Sequence, residues 1–308
     1  MPGPNFALWP ELPLDAWRDT YVTLHMWTQI VGKIRLKLSP NVNHWWSVAL
    51  YVTTRGLTTS PIPYQGRTFE IQYDFVDHVL IINTQPEQRR AMSLSPKPVA
   101  LFYSELMNLL HSLNIEVQID LNPKEVPNPI PFDQDFKNAS YDPHYAQRLG
   151  LIFHQADRLL KRFRSGFIGK CSPVHFFWGT FDLAVTLFSG RAAPPRPNAD
   201  HITQEAYSHE CMSCGFWPGS GNIQEAAFYA YAAPEPAGFS KVVVKPEMAF
   251  YNPTIKNFIL TYENVCERIN PDRHVLDFFH STYEAAADLG HWDRNALEKP
   301  TVAEKSAA

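Results

Sequence analysis

The sequence predicts an α+β fold in which one or more antiparallel sheets are covered by helices, with two pseudo-duplicated halves as one arrangement it leaves open. Two observations carry the fold class. Short segments alternate apolar and polar residues with the period of a half-buried strand, and longer segments carry the three- and four-residue spacing of amphipathic helices. A third observation, an ordered set of features found once in each part of the chain at unequal spacings, fits either a duplication or coincidence with shared strand composition.

From Leu14, the residues Trp17, Tyr21, Leu24, Thr28 and Val31 recur at helical spacing, which predicts a helix ending before Gly32. His44 to Thr54 is rich in aromatic and β-branched residues and reads as a strand. Between Phe69 and Phe75, Phe69, Ile71, Tyr73 and Phe75 face one way while Glu70, Gln72 and Asp74 face the other. Val79 to Ile82 follows the short Asp77-His78 link as the hairpin partner. After Pro98, the residues Val99, Phe102, Tyr103, Leu106, Leu109, Leu110 and Leu113 fall on one helical face. Ile115, Val117, Ile119 and Leu121 then alternate with polar residues and predict another strand.

The stretch 122–143 carries five prolines and reads as an ordered linker between a first half, 1–121, and a second, 144–292. In the second half, Tyr145, Leu149, Ile152, Phe153, Ala156, Leu159, Leu160 and Phe163 mark a long helix. The cations Arg158, Lys161, Arg162 and Arg164 suit its C-terminal end. Strand-like segments follow at 174–188 and 226–232, and Val275, Phe279, Thr282 and Ala286 mark a last helix bounded by Gly290. Residues 293–308 read as a flexible tail. The repeated set is helix, Gly-Lys, Ser-Pro, His, aromatic strand, Arg. It occurs as Gly32-Lys33, Ser39-Pro40, His44-Trp45-Trp46 and Arg55, then as Gly169-Lys170, Ser172-Pro173, His175-Phe176-Phe177 and Arg191.

Composition narrows the function classes. Hydrophobic residues make up 45% of the 308 positions and charged residues 19%, which is a globular balance. The formal net charge is -4, so the basic face expected of a nucleic-acid binder is not indicated. No apolar run reaches bilayer length and the start has no secretory pattern, so a cytoplasmic location is expected, with no membrane partner. Four cysteines make no disulfide framework. The 26 prolines against 14 glycines predict stiff loops, and 8 Trp, 13 Tyr and 20 Phe provide rigid surfaces able to line a ligand pocket or pack a core.

The chemistry-bearing residues cluster around the second aromatic segment. Read with period two, His175 to Arg191 places His175 and Phe177 on one face and Trp178, Thr180 and Asp182 on the other. A carboxylate in so apolar a run must be paired, capped or functional. His209-Glu210 supplies a second acid–base or metal-binding pair, and Cys211 and Cys214 extend it to H-x-C-x2-C without the second cysteine pair of a zinc site. H-E here lacks the second histidine of a zincin motif. Residues 164–171 end like a phosphate-binding loop, but Arg164 and Cys171 replace its first glycine and its hydroxyl residue. No dinucleotide fingerprint exists, so no nucleotide cofactor is expected.

The runs Thr-Leu-His-Met-Trp-Thr-Gln-Ile-Val-Gly-Lys-Ile-Arg-Leu (23–36), Asn-His-Trp-Trp (43–46), Ser-Pro-Val-His-Phe-Phe-Trp-Gly-Thr-Phe-Asp-Leu-Ala (172–184), Phe-Ser-Gly-Arg (188–191) and Gly-Phe-Trp-Pro-Gly (215–219) resemble an uncharacterised family, domain of unknown function 5996. The resemblance reaches to about Trp292 and implies an intracellular, mainly microbial protein with no catalytic residues to carry over. It implies that His209-Glu210 fits the family pattern, that Cys211 and Cys214 do not, and that Leu187 stands where relatives carry Arg.

The resulting expectation is an enzyme acting on a polar or anionic small molecule. His175, Asp182, His209 and Glu210 would supply acid–base chemistry, with a divalent metal held by His209, Glu210 and His175 as one form of it. His44, Trp46, Trp178, Trp217 and Tyr229 would line the pocket, and Arg55 and Arg191 would orient the substrate. The alternative is a non-catalytic ligand-binding or structural protein in which the same aromatics are core.

Overall fold

A computed structural model describes residues 8–220 and 223–300, so the tail residues 301–308 lie outside the described residues. The chain forms two compact units. The first contains the residues up to Gln155 together with His175–Asp182; the second contains Ala156–Val174 together with the residues from Leu183 onward.

The first unit is organised by helix α1, Leu14–Leu38, which is buried on nearly every side from Thr20 to Arg35. It runs through Gly32, where the sequence predicts an end. A Cβ on Gly32 would lie 2.2 Å from the indole of Trp178, so the glycine serves a close contact and not a helix stop. A 3-10 turn, Asn43–Val48, follows in place of the expected strand. His44 and Trp45 both have left-handed backbone angles, φ 58° and 61°, which no strand accommodates. Within the segment, Tyr51–Val52 (β1) pairs as a strand and Leu50 makes an isolated bridge to Phe176.

The strands β2 (Gly56–Thr58), β3 (Ile62–Tyr64), β4 (Arg67–Asp74), β5 (Val79–Gln85) and β6 (Gln88–Ser93) complete an antiparallel sheet of order β1-β2-β4-β5-β6. β2 and β3 share one edge of β4 at its two ends. As predicted, Phe69, Ile71 and Tyr73 face inward. Asp74 is also buried, held by turn hydrogen bonds from Val76 and Asp77. The Tyr73 hydroxyl donates to the carbonyl of Trp27 (2.7 Å), and Trp27 stacks on Phe102 of helix α2, Val99–Ser112, at 4.6 Å. Residues 115–119 keep their predicted in–out alternation but form no strand, since no neighbouring backbone pairs with them in a ladder. The proline-rich stretch contains a second 3-10 turn, Phe132–Gln134, with Phe132 fully buried.

Helix α3, Pro143–Arg164, matches its predicted periodicity. The expected continuous strand from 174 is broken. β7, His175–Phe177, is followed by a turn in which Phe181 takes φ 60°, and β8 begins at Asp182 and runs to Ala192. Period-two reading therefore cannot be carried from His175 to Asp182.

In the second unit, β8, β9 (His209–Trp217), β10 (Ala227–Ala233), β11 (Phe250–Asn252) and β12 (Asn257–Thr261) form antiparallel pairs in the order β11-β12-β10-β9-β8. A short helix α4, His201–Ala206, capped by the Asp200 carboxylate, precedes β9. Another, α5, Glu263–Cys266, follows β12. Helix α6, Pro271–Leu289, ends at Gly290 as predicted. Its Phe279 packs on Phe228 of β10 and on Phe163, with ring centroids 5.9 and 5.5 Å apart. A last helical turn, α7, Arg294–Leu297, buries Leu297, whose carbonyl accepts from Ile168.

Candidate functional site

Helix α1 carries a polar stripe at four-residue spacing inside an otherwise apolar surround, and each member fastens a loop of the first unit. The His25 Nε2 donates to the carbonyl of Gly179 at 2.8 Å. Burial lowers its pKa from 6.5 to about 4, so this ring is neutral at pH 7. The Gln29 amide donates to the Lys124 carbonyl and accepts from the Lys124 N–H, both at 2.8 Å. Lys33 Nζ donates to the Asp120 carboxylate and to the carbonyls of Asp120 and Asn122, with the Phe132 ring 5.5 Å away. The backbone N–H of Asn122, then Lys33, hold the Asp120 carboxyl well below its usual range. These groups are satisfied by protein partners.

Arg35, two residues after Lys33 and on the other side of the helix, is different. Its side chain is 8% exposed, and Nε donates to the Ser47 carbonyl of the 3-10 turn at 2.8 Å. The guanidinium lies 5.6 Å from the centre of the Tyr51 ring. Nη1 is buried with no hydrogen-bond partner, and among the described residues no carboxylate pairs with Arg35. Burial pushes its pKa down against the opposing effect of the Tyr51 hydroxyl, which hydrogen-bonds it, yet a guanidinium keeps its proton in proteins, so among the described residues no carboxylate balances this cation.

Around it the structure gathers residues that the sequence singles out. Tyr51 meets the His175 ring edge-on at 5.6 Å. His175, 1% exposed, meets Trp46 at 5.8 Å and Phe177 at 5.4 Å. Trp46 in turn lies 5.4 Å from His44. Trp46, Tyr51 and Phe177 are half-exposed and form the outer side of the cluster. The two His–aromatic segments thus meet in the first unit, joined also by reciprocal backbone bonds between Leu50 and Phe176. One folds as a 3-10 turn and the other as a strand.

The remaining candidates of the first unit have local duties. Arg55 pairs with Asp74 and Asp77 across the β4–β5 turn, at 2.5 and 2.6 Å. Trp178 donates from Nε1 to the Val48 carbonyl (2.9 Å) and packs against Gly32. Asp182 is buried and accepts from the Thr180 hydroxyl.

In the second unit, Arg191 and Glu210 come together. Arg191 Nε and Nη2 reach Glu210 Oε2 at 2.8 and 2.6 Å, and the Ser189 hydroxyl donates to the same oxygen. Arg191 also donates to the carbonyls of Gly290 and His291 beyond α6. His209 Nδ1 lies 3.1 Å from the Ser208 hydroxyl. Tyr229 stacks on Tyr231, whose hydroxyl meets that of Tyr207, while Trp217 sits at the far end of β9 opposite Ala227. Cys211 and Cys214 are three apart on β9 and so point to opposite faces, which removes H-x-C-x2-C as a ligand set. Among the described residues no three His, Cys, Asp or Glu side chains could hold one metal ion, so the expected set of His175, His209 and Glu210 finds no support there.

The model of a family of unknown function, DUF5996, matches residues 9–299. The chain belongs to this family. No curated protein and no solved structure matches it.

The segments that suggest DUF5996 membership take on distinct physical roles. Within 23–36, His25, Gln29, Gly32 and Lys33 fasten and pack, and Arg35 has no carboxylate partner among the described residues. Within 43–46 and 172–184, His44, Trp46 and His175 form a run of ring contacts that reaches Tyr51, the ring beside that charge. The sequence singles out neither Arg35 nor Tyr51. The available signal was a charged residue between Ile34 and Leu36 in a helix that proves to be buried all round, visible only once the helix is extended past Gly32.

Proposed function

We propose that this member of DUF5996 binds a small anionic organic molecule on its first unit. Arg35 is the anion anchor, and Trp46, Tyr51, Phe177 and His175 form the aromatic wall. The observation that carries the reading is the buried Arg35 guanidinium without a carboxylate partner. Leaving a buried charge uncompensated costs several kcal/mol, about 3–5 in broken ion pairs, and an anionic ligand would relieve that cost. The successive left-handed residues His44 and Trp45 support it, because such angles cost roughly 1–3 kcal/mol each and accumulate at binding sites. If the protein is an enzyme, proton transfer to or from the bound anion falls to the imidazoles of His175 and His44.

A second reading, that Arg35 is a structural clamp on the 3-10 turn, is favoured by its bond to the Ser47 carbonyl. Thermal unfolding at constant ionic strength, with rising phosphate or benzoate, separates the two. The binding reading expects a saturable rise in Tm with at least one anion, near 2.7 kcal/mol of stabilisation at about 100 times Kd. It also expects the rise to vanish in Arg35→Met while that variant's own stability changes by less than about 1.5 kcal/mol. No response to either anion, with a loss of about 3 kcal/mol or more in Arg35→Met, would favour the clamp.

A further inference from the structure

We infer that the second unit holds a binding site for a small organic cation, an alkylammonium with a short aliphatic tail, in the cavity beside Glu210. It is independent of the anion site, which lies within the first unit. The cavity measures about 170 Å³, well below the roughly 300–1,000 Å³ of sites for drug-sized ligands, so its occupant has only a handful of heavy atoms.

Its walls sort by chemistry. Ala286, Leu289 and Pro234 supply apolar surface, Trp292 an aromatic face, and Glu210 and Glu235 the carboxylates. The last turn of α6 contributes the negative end of its helix dipole beside Leu289 and Gly290. Arg191 compensates part of this field, but its Nε, Nη1 and Nη2 are all engaged, by Glu210, His291 and Gly290. Four of its five N–H groups are therefore taken, and the Glu210 carboxylate already neutralises its charge, which leaves an anion little to bind.

The acceptors that a cation would need are not all taken. Arg191 and Ser189 both bond Oε2 of Glu210, and among the described residues Oε1 accepts no hydrogen bond. An ionised carboxylate offers about four acceptor positions over its two oxygens. Glu235 accepts from the Tyr251 hydroxyl through Oε2 and is otherwise exposed. Trp292 lines the same cavity and is the residue type that makes the strongest cation–π partner for an ammonium group. Leu289, left 37% exposed on the cavity wall, would cover the aliphatic tail.

Calorimetric titration of the full chain with n-butylammonium chloride tests this, with n-butanol and butyrate as neutral and anionic counterparts of the same size. The expected result is saturable binding of butylammonium with Kd on the order of 1 mM and no binding of the other two. Glu210→Gln should weaken it roughly tenfold, as loss of one charge-assisted hydrogen bond does. Arg191→Met, which removes the competing cation, should tighten it. Circular dichroism checks that each variant folds, and the exposed Glu235→Gln, expected to weaken binding by a smaller factor, keeps the test decisive if Glu210→Gln does not fold. The inference is overturned if butanol binds as well as butylammonium, if butylammonium gives no heat up to about ten times that Kd, or if neither Glu variant alters its affinity.

Discussion

His25 couples the first unit to pH through a single proton. Burial holds its folded pKa near 4, while in the unfolded chain the ring titrates near 6.5. Between those values the unfolded state binds the proton and the folded state does not, so stability falls as pH drops from about 6.5 to 4 and is fully present above 6.5. The shift corresponds to on the order of 3 kcal/mol. Urea unfolding of His25→Gln should therefore show a smaller loss of stability between pH 7 and 4.5 than the parent; equal losses would mean that other groups carry the acid response. Gly32 acts through shape. Its missing Cβ leaves room for the Trp178 indole, and Gly32→Ala should cost about 1–3 kcal/mol or more in the same assay, because the indole is pinned by its bond to Val48 and cannot retreat.

At the scale of elements, Gly215 lies in the middle of β9, opposite Ala184 on β8 and Tyr229 on β10. A Cβ there would sit 1.8 Å from the Leu183 carbonyl oxygen, a backbone atom that cannot move without parting the ladder. Gly215→Ala should therefore lower stability by at least about 2 kcal/mol and speed amide exchange along β8 and β9; an unchanged Tm would refute the packing argument. Elements with a strong local period were legible in the sequence: the stripe of α2, the long α3, the alternation of β4, and α6 with its terminal Gly290. Elements decided by distant partners were not. The 3-10 turn has strand-like composition, and its left-handed pair is set by packing. Residues 115–119 alternate correctly because burial governs alternation, while strand formation needs a neighbouring edge. Arg35 went unseen for a related reason. Gly32 reads locally as a stop, and only Trp178, far along the chain, reveals it as a contact within a continuing helix.

For the whole molecule, the described residues include no helix long and apolar enough to cross a membrane. The composition of the units is the more consequential property. His175–Asp182 belongs to the first unit although the residues on both sides of it belong to the second. This short segment supplies the Phe176 backbone bonds to Leu50, the Trp178 indole against Gly32, the Gly179 carbonyl for His25 and the His175 ring of the proposed anion site. A fragment ending at Gln155 should accordingly fail to give cooperative unfolding. Adding a synthetic peptide covering 172–184 should restore a measurable transition, and a fully cooperative 1–155 fragment would contradict this.

The same eight-residue insertion sets an order of events during synthesis. As the polypeptide leaves the ribosome, the groove awaiting Trp178 stays open until more than twenty further residues beyond Gln155 have emerged, so α1 is sealed only well after it has been made. Nascent protein would spend that interval with an aromatic-lined surface uncovered, a natural point of engagement for a holdase chaperone.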